Sequence, residues 1–116
     1  MTEIDKLIER IRTFNKERDW EQFHSPKNLA MALIVEVSEI AEHFQWLKTE
    51  ESENLSAEKI AEIEEEIGDV MLFLLNLCDK LGINAVKAAE EKLEKNRKKY
   101  PVEKAKGNAR KYSEYE

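Results

Sequence analysis

Two acidic pairs, Glu36-x-x-Glu39 and Glu66-x-x-Asp69, sit inside apolar runs where a helix would otherwise bury hydrocarbon. On a helix, positions i and i+3 lie about 60° apart, so each pair projects two carboxylates over one face. If the two helices pack, four acids converge. Left unpaired they would repel one another and lose hydration, at a cost of several kcal/mol each. A divalent cation between them removes that cost, so the spacing constrains both the packing and the chemistry. Glu36, Glu39, Glu66 and Asp69 are therefore the candidate metal ligands. An all-oxygen set suits Mg²⁺, with Mn²⁺ as a substitute, and lacks the cysteines and histidines that zinc prefers.

The competing reading is that these acids face solvent and pair with lysines, which is the usual state of a single helical glutamate. Mirrored spacing on two helices, with apolar neighbours on both sides of each pair, weighs against it. A di-iron carboxylate bundle would need Glu-x-x-His on two helices. His43 follows Glu39 by four and His24 precedes its helix, so neither completes that motif.

The remainder of the chain reads as helical. Only three glycines and two prolines occur in 116 residues, with 38% charged and 41% hydrophobic, a composition of one all-α domain over 1–116. Ile4, Leu7, Ile8, Ile11 and Phe14 follow the spacing of an amphipathic helix ending near Arg18. Ser25-Pro26 supplies a capping hydroxyl and a first-turn proline for a second helix reaching about Leu47. Its run from Leu29 to Val35 is apolar on every side, so this helix is expected at the centre. Thr49 to Ser56 reads as a turn.

A third helix of roughly 25 residues, about 37 Å long, carries the stripe Ile60, Ile63, Ile67, Val70, Leu74, Leu77 and Leu81, and Gly82 stops it. Within it Gly68 costs about 1 kcal/mol relative to alanine, for which a close helix approach would compensate. Asn84 caps a fourth helix with Val86, Ala89 and Leu93 inward, ended by Tyr100-Pro101. The helical core thus covers about 3–100. The polar tail 101–116 has no period and is expected to be extended or partly mobile. Short connections favour an antiparallel four-helix bundle, and the apolar second helix with Trp20, Phe23, Trp46 and Phe73 calls for completion by a second copy, as a homodimer or homotetramer.

Net charge of −6 argues against general affinity for nucleic acid. Glu50 to Glu66 is strongly acidic and Lys92 to Lys111 basic. That separation fits either a cation site beside a phosphate clamp or two solvated faces. The single cysteine, Cys78, lies among leucines and reads as a core thiol of a reducing compartment. No run approaches the ~20 residues of a membrane span, and the N-terminus lacks a signal-peptide pattern. A soluble cytoplasmic protein is expected.

Several segments together resemble the all-α nucleoside triphosphate pyrophosphatases of the MazG-like type, closest to the small dCTP pyrophosphatase group. They are Arg18-Asp19-Trp20-Glu21-Gln22-Phe23-His24-Ser25-Pro26-Lys27-Asn28-Leu29, Glu36-Val37-Ser38-Glu39-Ile40-Ala41-Glu42, Phe44-Gln45-Trp46, Glu65-Glu66-Ile67-Gly68-Asp69-Val70 and Lys95-Asn96-Arg97-Lys98-Lys99-Tyr100-Pro101. The resemblance implies Mg²⁺-dependent cleavage between the α and β phosphates of a nucleoside triphosphate, with the four acids holding the metal. It further implies a phosphate-holding end at Lys92, Asn96 and Tyr100, although Lys92 by itself reads as a solvated lysine. Trp20, Phe23, Trp46 and Phe73 offer flat surfaces for a base, and His24 and Asn28 can bond a base edge or sugar. Core packing is the equal alternative for Phe23. Phe73 offers no hydroxyl where members of the family can carry tyrosine. A helical interaction module that keeps the metal but has no turnover is the alternative function.

Overall fold

The computed structural model describes residues 1–115. Its helices are α1 (Glu3–Glu17), α2 (Pro26–Glu42), α3 (Thr49–Ser52), α4 (Ala57–Leu81), α5 (Ala85–Lys99) and α6 (Val102–Ala105), with 3₁₀ turns at Glu21–Phe23 and Tyr112–Glu114. No strand occurs among the described residues. The chain forms two compact units that divide after Gly82.

Helix ends follow the capping chemistry. The Ser25 and Ser56 hydroxyls accept from the Asn28 and Lys59 amides, and the Asn84 side chain accepts from the Lys87 amide. Each satisfies a donor that the first helical turn leaves free. Gly82 ends α4 at φ 67°, a left-handed conformation that costs other residues 1–2 kcal/mol, of the order set by Cβ crowding. In α2 the expected boundary near Leu47 moves back to Glu42. There the ladder tightens, with the Phe44 amide bonding Ala41 and the Leu47 amide bonding Phe44. These three-residue turns cannot propagate an α-helix. The segment read as a turn contains one helical turn, α3, whose start is closed by the Glu51 carboxylate accepting from the Lys48 amide at 2.9 Å.

In the first unit α1 and α2 both pack on α4. The central helix is therefore α4, not the more apolar α2. Both neighbours run antiparallel to it: Arg12 and Asn15 of α1 meet Asp79 and Asn76 of α4, while His43, just after α2, lies against Glu62 and Glu66 near the start of α4. The buried apolar side chains are Ile11, Leu29, Ile63, Leu75 and Cys78, so Cys78 lies in the core as a free thiol. One face of α2 remains open, with Met31, Ile34 and Val35 each more than half exposed. A Cβ at Gly68 would meet nothing within 4 Å, so the close approach expected there is absent.

In the second unit Val86 and Leu93 are 45% and 70% exposed, against the inward placement expected for them. The tail is not extended throughout, since it contains α6 and the 3₁₀ turn Tyr112–Glu114. Tyr112 and Tyr115 stack edge-on against Tyr100 with ring centroids 6.1 and 6.0 Å away, and Lys99 lies over the Tyr112 ring. Aromatic contacts of this kind tie a segment without apolar period back to Tyr100 and Lys99.

Candidate functional site

The stripe of α2 that contains Leu29 and Leu33 continues one turn on to Glu36, then to Glu39 and His43. The helical repeat thus carries the α4-facing side from hydrocarbon to acid. Glu66 stands opposite on α4. One carboxylate oxygen from each of Glu36, Glu39 and Glu66 lies within 4.8 Å of the others. Asp69, one turn along α4, is outside this trio but close enough for its charge to act on both Glu36 and Glu66. It lines the adjoining cavity instead.

Electrostatics mark the trio as incomplete. Burial, then the neighbouring Glu39, pushes the Glu36 carboxyl above its usual range. Glu66 is raised chiefly by a hydrogen bond shared with Glu39, which favours the protonated form. Glu36 Oε2 is sealed from solvent without a hydrogen-bond partner. Converging oxygens, mutual repulsion and an orphaned acceptor are what a hard divalent cation would resolve, so these residues fit such an ion.

His43 lies against Glu66 of the trio, and Lys59 lies behind His43 and Glu62. The Lys59 ammonium lies 3.3 Å from His43 Nδ1, and the Glu62 carboxylate lies 3.8 Å from the same nitrogen. The other ring nitrogen, Nε2, lies 3.9 Å from Glu66 Oε1. Outer partners of this type orient ligand carboxylates. The spacing Glu39 to His43 pointed to the right face, but nothing local announced Lys59.

Beside the acids, a cavity of about 370 Å³ lies between α1 and α4 under the segment joining α1 to α2. Phe14, Trp20, His24, Asp69, Phe73 and Asn76 are among its lining residues. That segment is turned by Asp19, at φ 53°, and the Trp20 amide then bonds the Asn15 carbonyl at 3.0 Å. Trp20 packs edge-on against both Phe14 and His24. Burial, then Lys80, lowers the His24 pKa, and its Nδ1 is sealed without a partner.

Of the other residues singled out from the sequence, Asn28 uses its amide to bond the Phe23 carbonyl at 2.9 Å and is not part of the cavity lining. Trp46 is 86% exposed on the turns after α2, and Phe23 is 59% exposed rather than packed in the core. Lys92, Asn96 and Tyr100 belong to the second unit, where Lys92 is exposed and Asn96 half-buried. The cavity also contains Asn15 and Asn76, which the sequence reading passed over. Their signal was two amides inside apolar helical stripes.

The MazG-like family model matches residues 31–115, well over half of the chain and including all four acids. The chain belongs to the MazG-like family. It is 41% identical to dCTP pyrophosphatase 1 of Bos taurus over 103 residues, covering 87% of this chain and 61% of that protein. The Homo sapiens dCTP pyrophosphatase 1 is likewise 41% identical, with the same coverage. The chain thus spans about three fifths of the length of these curated relatives. Among solved structures, a pyrophosphatase from Archaeoglobus fulgidus superposes with a TM-score of 0.82 at 40% identity, over 87% of this chain and 94% of that one. The MazG-like assignment and this superposition agree on an all-helical architecture. No helix among the described residues is long and apolar enough to cross a membrane.

Proposed function

We propose that the chain is a nucleoside triphosphate pyrophosphohydrolase, converting a dCTP-like or non-standard deoxynucleoside triphosphate to the monophosphate and pyrophosphate. The observation that carries this reading is the placement of the Glu36, Glu39 and Glu66 carboxylates beside an aromatic cavity, in a member of the MazG-like family. Similarity to the dCTP pyrophosphatases and to the archaeal pyrophosphatase supports the bond and the substrate class.

Glu36, Glu39, Glu66 and Asp69 would hold Mg²⁺, or Mn²⁺ in its place. When bound, such an ion neutralises phosphate oxygens and lowers the pKa of coordinated water. The chain's own contribution is positioning. Glu36 and Glu66 present acceptors from facing helices, Glu39 between them is the candidate to take a proton from the attacking water, and His43 steadies Glu66. Trp20, His24 and Phe73 line the space for the base. For Asn28, Trp46, Lys92, Asn96 and Tyr100 as substrate contacts, and for 1–116 as one catalytic domain of a cytoplasmic pool-cleaning enzyme, the support is the family resemblance alone.

The open apolar face of α2, with Met31, Ile34 and Val35, fits a homodimer or homotetramer. The deciding experiment measures products from a panel of nucleoside triphosphates, with Mg²⁺ and with EDTA, for the native protein and Glu39→Ala. Mg²⁺-dependent monophosphate and pyrophosphate that Glu39→Ala abolishes is the expected result. Diphosphate with orthophosphate would mean that the wrong bond is assigned. Metal binding without turnover across the panel would instead establish the interaction module.

A further inference from the structure

Asn15 of α1 and Asn76 of α4 line a second cavity as well as the aromatic one, with a volume of about 420 Å³. Its other walls are charged rather than aromatic. Arg12 and Lys16 of α1, Glu21 of the following 3₁₀ turn, and Asp79 and Lys80 of α4 contribute to it. The two asparagines are 6% and 9% exposed, and the Asn15 Nδ2 donates to Asn76 Oδ1 at 2.9 Å. They give the cavity a packed polar wall.

Charge within this space does not balance. Asp79 spends both oxygens on Arg12, accepting from Nε at 2.9 Å and from Nη2. A guanidinium carries five N–H groups, so Arg12 keeps donors, Nη1 among them, outside that bond. Among the described residues, Lys16 and Lys80 make neither an ion pair nor a side-chain hydrogen bond. Glu21 is the one acid of the lining left to set against them. A lysine in the last turn of α1 and another in that of α4 each suit the helix dipole. That accounts for one cation on each helix, but not for both on one cavity whose nearest acid is already consumed.

These donors define the ligand. A phosphate dianion accepts from several directions at once, and ammonium and guanidinium groups bind it as point charge and as fork. The net charge of −6 repels an extended polyanion, so the ligand is compact. Lys80 lies about 20 Å along α4 from Glu66 at 1.5 Å per residue, so phosphates seated at the acids do not reach it.

We propose that the polar cavity between α1 and α4 is a second anion site, taking a phosphate-class dianion between Lys16 and Lys80 with Arg12 as a further donor. The proposal does not depend on the pyrophosphohydrolase reading.

The test titrates inorganic phosphate, and separately ribose 5-phosphate, into the native protein in EDTA, and follows backbone and side-chain amide signals by NMR. EDTA removes divalent ions, so no metal holds the probe at the acids. Shifts should saturate by about 10 mM and be confined to residues near 12–16 and 76–80, including the Asn15 and Asn76 side-chain amides. K16Q/K80Q replaces two exposed side chains and should weaken binding by about 100-fold, on the scale of about tenfold for each charge-assisted hydrogen bond. Saturation over the same range should then be lost. K95Q/K98Q makes the same charge change in the second unit and should leave binding within about twofold. Tighter binding of ribose 5-phosphate assigns a phosphate monoester and tighter binding of inorganic phosphate assigns the free ion, and either supports the site. No saturation by either probe would overturn the proposal without any variant. So would shifts centred on Glu36 and Glu66, or equal weakening by the two double variants, which would show diffuse charge attraction only.

Discussion

At the scale of single residues, the carboxylate trio makes the fold sensitive to protonation in a direction opposite to that of an ordinary ion pair. Glu36 and Glu66 are raised above their usual range, so without metal the folded state binds their protons more tightly than the unfolded chain. Metal-free protein should gain stability as the pH falls from neutral through those raised values, until the ordinary carboxylate range is reached. Glu36→Gln should raise the melting temperature in EDTA, remove the Glu36 part of that pH dependence while leaving that of Glu66, abolish the Mg²⁺-induced thermal shift and lower turnover by about 100-fold or more. Melting curves with and without Mg²⁺, together with product assays, check each part. Asp79 behaves conversely. Its hydrogen bond from Arg12 holds it below the usual range, so its contribution is complete above that range and is lost as the pH falls through the depressed value. Arg12→Ala should therefore flatten the acid limb of urea midpoint against pH below about pH 4.

At the scale of elements, the capping predictions are the most transferable. Ser56 closes the start of α4 on the Lys59 amide at 3.1 Å, and Ser56→Ala should cost about 1 kcal/mol in chemical denaturation. The same change also loosens Lys59, which approaches His43 behind the acids. Gly68 tests the surroundings of α4. It lies in the helix interior with open space where a Cβ would stand, so Gly68→Ala should stabilise the chain by up to about 1 kcal/mol. A loss of stability instead would place another subunit against that position. The element pattern was legible because capping and periodicity are local: Ser25-Pro26, Ser56, Gly82 and Asn84 act at the boundaries where their chemistry placed them. Helix α2 ended early, where the Phe44 and Leu47 amides bond carbonyls three residues back and the ladder tightens.

At the scale of the molecule, the open apolar face of α2 is the main feature that one chain does not resolve. With Ile34 63% and Met31 58% exposed, native protein should run in light scattering as a multiple of its 13.6 kDa chain. Ile34→Glu should shift it toward the monomer and remove the dependence of melting temperature on protein concentration expected of the native oligomer. Apolar content along a helix measures how much must be covered, but not by which element. For that reason the run from Leu29 to Val35 misidentified the centre. The polar stripe of α4 carries Glu66, Asp69 and Asn76, yet it is α4 on which both other long helices of the first unit pack.

What the sequence determined by itself was therefore the helical class, most helix ends, the family signature and the convergence of Glu36, Glu39 and Glu66, because each depends on spacing within a few turns or on a motif. The tertiary structure alone decided which helix is central, that Asp69 lines the cavity, and that His43 lies against Glu66 with Lys59 behind it. It alone brought Asn15 and Asn76 together across 61 residues of chain. Those outcomes depend on register between helices, and register is set by side-chain packing over the whole unit rather than by any local pattern.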